Sequence, residues 1–97
     1  MDPVRLGRSG LKISPLSLGT MTFGVHTDLD ESRRIADLAL DRGVFHWDTA
    51  DMYSSGASEA MVGELLKGRR DQIVLATKVF APMGPGPNDR GLSAAHI

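Results

Sequence analysis

The sequence predicts an α/β fold with a parallel sheet, entered through a short hairpin. Two observations carry this. Short segments rich in β-branched, aromatic and aliphatic residues, "LSLGT", "VFHWDT" and "QIVLATKV", alternate along the chain with two segments of helical periodicity. Strand, helix, strand in that order predicts parallel neighbours joined by right-handed crossovers. At 97 residues the chain has room for one small domain at most.

The opening "VRLG" and "LKIS" alternate around Arg8-Ser9-Gly10, which is a hairpin signal. "LSLGT" follows Pro15 as the first strand of the parallel sheet, and "MTFGVHTD" breaks it with glycine. Residues 28 to 42 read as a helix: Asp28 can cap, Glu31 completes a capping-box-like pair, Ile35, Leu38 and Ala39 share a face, and Gly43 stops it. "VFHWDT" is the second strand, with Phe45 and Trp47 on one side and His46 and Asp48 on the other. A second helix spans 59 to 67, with Ser58 as its candidate cap, Glu59 in the first turn and Met61, Val62, Leu65 and Leu66 as its apolar stripe. "QIVLATKV", 72 to 79, reads as a strand buried on both faces. "GLSAAHI" begins a third helix with Ser93 at its cap and stops after about one turn, where nucleation costs more than propagation returns. That reads as a truncation.

Composition excludes several function classes. Eleven basic residues against twelve acidic ones leave a net charge of −1, which argues against nucleic acid or an anionic membrane as the main partner. There is no cysteine, hence no disulfide and no thiolate metal site. The sequence has no apolar leader and no run near membrane-spanning length, so a cytoplasmic location is expected. "GPGPND" does not open a helix after a strand and is not a dinucleotide fingerprint, "GASEA" misses the nucleophile-elbow pattern at Ala60, and no acidic cluster has metal-ligand spacing.

The remaining polar features share one address. Gly19, Thr20 and Met21 close the first parallel strand, Asp48 closes the second with Tyr53 in the loop beyond, and Lys78 stands near the end of the third. Ligands of α/β sheets and barrels bind outside these carboxyl ends. Singly, such residues serve as turn formers, solvated strand ends and amphipathic packing. Together they make a proton-transfer set. A phenol with its ordinary pKa of about 10 is a poor acid near neutrality. A nearby ammonium favours the phenolate, and an aspartate holds the ammonium in place.

"RLGRSGLKISPLSLGTMTFG", "FHWDTADMYSSGASEAMVGELLKG", "IVLATKV" and "NDRGLSAAHI" together resemble the N-terminal part of the aldo-keto reductases, in the right order and over nearly the whole chain. The most specific element is Asp-Thr-Ala-x-x-Tyr followed by a strand ending in Thr-Lys. The resemblance implies the N-terminal part of a (β/α)8 barrel: a plugging hairpin and about three β/α units, incomplete, since a whole barrel takes about 250 residues. Residues 1–97 would then form one segment of a single barrel domain, cut at the start of its third helix. It implies Tyr53 as proton donor, Lys78 as the neighbour that favours the phenolate, and Asp48 as the lysine's partner. Gly19, Thr20, Met21 and Asp48 would line the nicotinamide end of NADPH, or of NADH.

The implied reaction is reduction of a small-molecule aldehyde or ketone. The family's catalytic histidine belongs to a later strand, and His46 reads as a satisfied interior histidine; the oligomeric state is left open. The 97-residue chain alone is expected to be inactive. "GLSAAHI" and the "TFG" loop also resemble the potassium-channel β subunits of the same superfamily, which implies a redox-sensing regulatory subunit as the alternative. A non-functional gene fragment is a further one.

Overall fold

The computed structural model describes residues 1–97. Strands β1 (Val4–Arg5) and β2 (Lys12–Ile13) pair antiparallel, Val4 opposite Ile13. Their turn is closed by a bond from the Leu6 amide to the Leu11 carbonyl (2.9 Å) and by the Ser9 hydroxyl, which donates to the Leu6 carbonyl (2.7 Å). The Ser-Gly turn thus acts as the sequence predicts, although each strand is only two residues long.

Strands β3 (Ser17–Gly19), β4 (His46–Asp48) and β5 (Val74–Ala76) form a parallel sheet in that order, linked through helices α1 (Leu29–Asp41) and α2 (Ala57–Leu66). The register places Gly19, Asp48 and Ala76 side by side at the carboxyl end. Ladder-like bonds continue past the formal strand ends: Thr20 N–H to the Asp48 carbonyl (3.1 Å), Thr49 N–H to Ala76 (2.8 Å) and Asp51 N–H to Lys78 (3.1 Å). The chain beyond each strand therefore remains stitched to its neighbour, and Lys78, two residues past β5, stays at the rim.

The apolar core lies between the sheet and the two helices. Trp47 is its centre and wholly buried, packed with Phe23, Ala36, Val62, Leu65, Leu66 and Ile73. The indole satisfies its single donor by bonding to the Val44 carbonyl (3.2 Å), as a buried tryptophan requires. Arg69 lies over the ring at 5.9 Å while pairing with Asp37 of α1 at 2.6 Å, so one guanidinium joins the α2–β5 connection to the first helix.

Several elements depart from expectation. Asp28 caps α1 by accepting from the Glu31 amide (2.9 Å), but the Glu31 carboxylate turns to Arg34 (3.0 Å) instead of back to the cap, so the capping box is half made. Leu38 is not a core residue; it is 55% exposed, and Ser32 and Ala36 occupy the buried face. Helix α2 begins at Ala57, one residue before Ser58, because Ser54, Ser55 and Gly56 all have positive φ (51°, 54° and 98°) and turn the chain into the helix from the left-handed region. Ser58 is therefore inside the first turn and is not a cap. Strand β5 covers three half-buried residues and is an edge, not a strand buried on both faces; residues 70 to 72 before it form a 3-10 turn. No third helix forms at Ser93, whose hydroxyl instead accepts from the His96 amide (3.3 Å) to close one turn. "GPGPND" folds around Asp89, whose carboxylate accepts from the Gly86 amide at 2.8 Å. A Cβ on Gly84 or Gly86 would stand 2.6 Å from that carboxylate and would push the Asp89 side chain aside.

Candidate active site

Asp48 is the last residue of β4, Tyr53 opens a 3-10 turn five residues later, and Lys78 leaves β5. The structure brings all three together. The Lys78 ammonium donates to both carboxylate oxygens of Asp48 (2.9 and 2.8 Å), to the Thr49 carbonyl (2.9 Å) and to the Tyr53 hydroxyl oxygen (3.0 Å). It also lies 4.7 Å from the centre of the Tyr53 ring. Because the phenol oxygen accepts from lysine, its own O–H proton stays free for another acceptor. That is the geometry of a hydrogen-bond donor poised toward solvent or a ligand.

The Asp48 carboxylate raises the Lys78 pKa above the ordinary 10.5; desolvation opposes this and the Tyr53 hydroxyl reinforces it. The side chain is half-exposed, so the pair is partly screened, but the ammonium remains charged throughout the neutral range.

Gly19, Thr20 and Met21 behave differently from one another. Gly19 is exposed with open space where a Cβ would stand, and the Met21 side chain is 63% exposed. Thr20 is wholly buried; its amide and hydroxyl both donate to the Asp48 carbonyl (3.1 and 3.0 Å), so it braces the loop from beneath. The Ser54 hydroxyl donates to the Met21 carbonyl (3.1 Å), which links this loop to the turn carrying Tyr53. His46 is half-buried and is held on the sheet by a bond between its Nδ1 and the hydroxyl of the exposed Ser17.

A cleft of about 370 Å³ opens beside Lys78, lined by Asp51, Glu59, Thr77 and His96 among others, with Tyr53 outside it. His96 Nε2 and Asp51 Oδ2 are 4.0 Å apart there, too far for a hydrogen bond. The sequence reading did not single out Thr49, Asp51, Ser58, Glu59 or Thr77 as parts of the site. The available signal was positional: Thr49 and Thr77 directly follow strand ends, Asp51 lies three residues past β4, and Ser58 and Glu59 are in the first turn of α2.

Comparison with known proteins points one way. The model of the aldo/keto reductase family matches residues 15–97. Among curated proteins, a probable voltage-gated potassium channel subunit beta of Arabidopsis thaliana is 45% identical over 101 residues, covering 100% of this chain and 30% of its own length. The oxidoreductase YrpG of Bacillus subtilis strain 168, described as uncharacterized, is 47% identical over 108 residues, again across 100% of this chain and 33% of its own. Among solved structures, an aldo-keto reductase from Bacillus halodurans in its holo form superposes with a TM-score of 0.78 at 43% identity, covering 92% of this chain and 29% of that one. The chain thus spans about a third of the length of the relatives it matches.

Proposed function

This chain belongs to the aldo/keto reductase family, and on that premise we propose that it carries the proton-donating part of an active site that reduces aldehydes or ketones with NADPH, or with NADH. The reading rests on one observation: a single ammonium, Lys78, is shared between the Asp48 carboxylate and the Tyr53 hydroxyl. The residues also suit a nicotinamide. Gly19 and Met21 offer an open, uncharged surface next to the polar trio, which a flat aromatic amide can cover without burying a charge.

When bound, the cofactor supplies the hydride that the carbonyl carbon accepts. The chain's own residues manage the proton. Tyr53 gives its Oη proton to the carbonyl oxygen, and the Lys78 ammonium 3.0 Å away stabilises the negative charge left on Oη. Asp48 holds that ammonium through two bonds, which fixes its direction as well as its charge. In the full-length protein, Tyr53→Phe is expected to lower carbonyl-dependent cofactor oxidation by about 10²–10⁴-fold with cofactor binding retained. An unchanged rate removes Tyr53 from the mechanism.

The similarity to the plant channel subunits favours a second reading, in which the same rim holds the cofactor so that a partner senses its redox state. Steady-state turnover of cofactor by added aldehyde supports the first reading. A single stoichiometric oxidation without further turnover supports the second.

A further inference from the structure

The first turn of α2 touches the ends of all three parallel strands. At Ala57, the backbone and Cβ lie so close to the loop after β3 that a Cβ on Gly24 would stand 2.7 Å from the Ala57 Cβ. At Ser58, wholly buried, the hydroxyl donates to the Thr20 carbonyl (2.7 Å) and lies 3.1 Å from the Thr49 hydroxyl. At Glu59, the carboxylate accepts from the Thr77 hydroxyl at 2.5 Å, one residue before Lys78.

The Thr20 hydroxyl is 3.0 Å from both the Asp48 carbonyl and the Ser58 hydroxyl and can give its proton to either. Ser58 gives its own proton to the Thr20 carbonyl, so Thr49 donates to Ser58. Thr49 is then held at both ends, by Ser58 through its hydroxyl and by Lys78 through its carbonyl (2.9 Å). Every member of this buried set is satisfied, and such networks define position more sharply than apolar contact does.

We propose that Ser58 and Glu59 are positioning residues, which set the separation between the Lys78 ammonium and the Tyr53 hydroxyl by tying the loops after β3, β4 and β5 to one helix end. Neither makes a hydrogen bond to the phenol or the ammonium. Ser58 acts on Lys78 through Thr49, and Glu59 acts through Thr77. The inference rests on the reductase reading only where activity is measured, since a displacement near 1 Å in a reacting group can cost about a hundredfold in rate.

Two readouts test it in the full-length protein. Ser58→Ala is expected to lower kcat by about ten- to a hundredfold with the KM for a carbonyl substrate changed less than about threefold. Glu59→Ala is expected to act in the same direction. Glu59→Gln, whose amide oxygen still accepts the Thr77 proton, should stay within about threefold of wild type. Independently of activity, the Lys78 side-chain titration followed by NMR should move down toward 10.5 in Ser58→Ala and Glu59→Ala, and less in Glu59→Gln. The signals of Lys12 and Lys67 serve as internal references.

Wild-type kcat together with an unmoved Lys78 midpoint in both alanine variants overturns the proposal. A Glu59→Gln variant as impaired as Glu59→Ala overturns it for Glu59, because charge and not the hydrogen bond would then matter. If the wild-type protein oxidises no cofactor with any aldehyde or ketone, the reductase reading fails, and the Lys78 midpoint still decides this inference. If Ser58→Ala does not fold, Thr49→Val and Thr77→Val delete the partner hydroxyls at nearly constant shape and carry the same two readouts.

Discussion

Lys78 spends its ammonium protons on four acceptors, and the Asp48 carboxylate takes the largest part. Its raised pKa makes a statement about stability. Below pH 10.5 the group is protonated in both folded and unfolded chains, and its contribution to stability is fully present. That contribution is lost as pH rises through the higher folded-state value. Thermal melts across the alkaline range should therefore show a decline that is shallower in Lys78→Met, and an identical slope in both proteins would rule the linkage out. Asp48 and Lys78 could be found in the sequence because they stand at or just past a strand end, and Tyr53 because it lies in the loop that follows one, where strand position gives the address. Thr49 and Ser58 could not. Small hydroxyl residues in a polar turn have the same composition whether they face water or, as here, lie wholly buried against backbone carbonyls.

The two helices use their apolar residues unequally. Leu65 of α2 is wholly buried against Trp47 and its neighbours, while Leu38 of α1 is largely in water. Leu65→Ala is expected to cost about 2–5 kcal/mol, and Leu38→Ala within about 0.5 kcal/mol. Chemical denaturation measures both, and comparable losses would mean that Leu38 packs against something outside residues 1–97. Spacing predicted both leucines as stripe residues, because it reports which positions share a face but not how far a neighbouring element reaches across that face. Boundaries followed the same division. Asp28 and Gly43 marked α1 well, since a side-chain cap and a residue at φ 80° are local chemistry. The start of α2 was legible only to within two residues, because two serines took up a left-handed backbone that their side chains do not favour. The last residues form a single turn and no helix, in line with the cost of nucleating one without tertiary support.

At the scale of the molecule, the sheet order β3-β4-β5 leaves one free edge on β3 and another on β5. Leu16 beside β3 and Phe80 beyond β5 are both largely exposed. Unpaired backbone edges next to apolar surface invite pairing with another chain. The 97-residue polypeptide on its own is expected to self-associate, with a sedimentation coefficient that rises with concentration. A monodisperse monomer with a sharp cooperative denaturation would contradict this. The parallel order was legible from the alternation of segments, whereas the extent of each strand was not, since ladder bonds past the strand ends depend on partners distant in sequence. No helix is long and apolar enough to cross a membrane. Trp47 in the core and Tyr53 at the rim are also the chain's single indole and single phenol. The polypeptide is thus labelled by its own composition: fluorescence from the one reports the packed interior, and ultraviolet absorbance of the other reports the rim. Loosening of the rim and loss of the core can therefore be told apart optically in one unmodified sample.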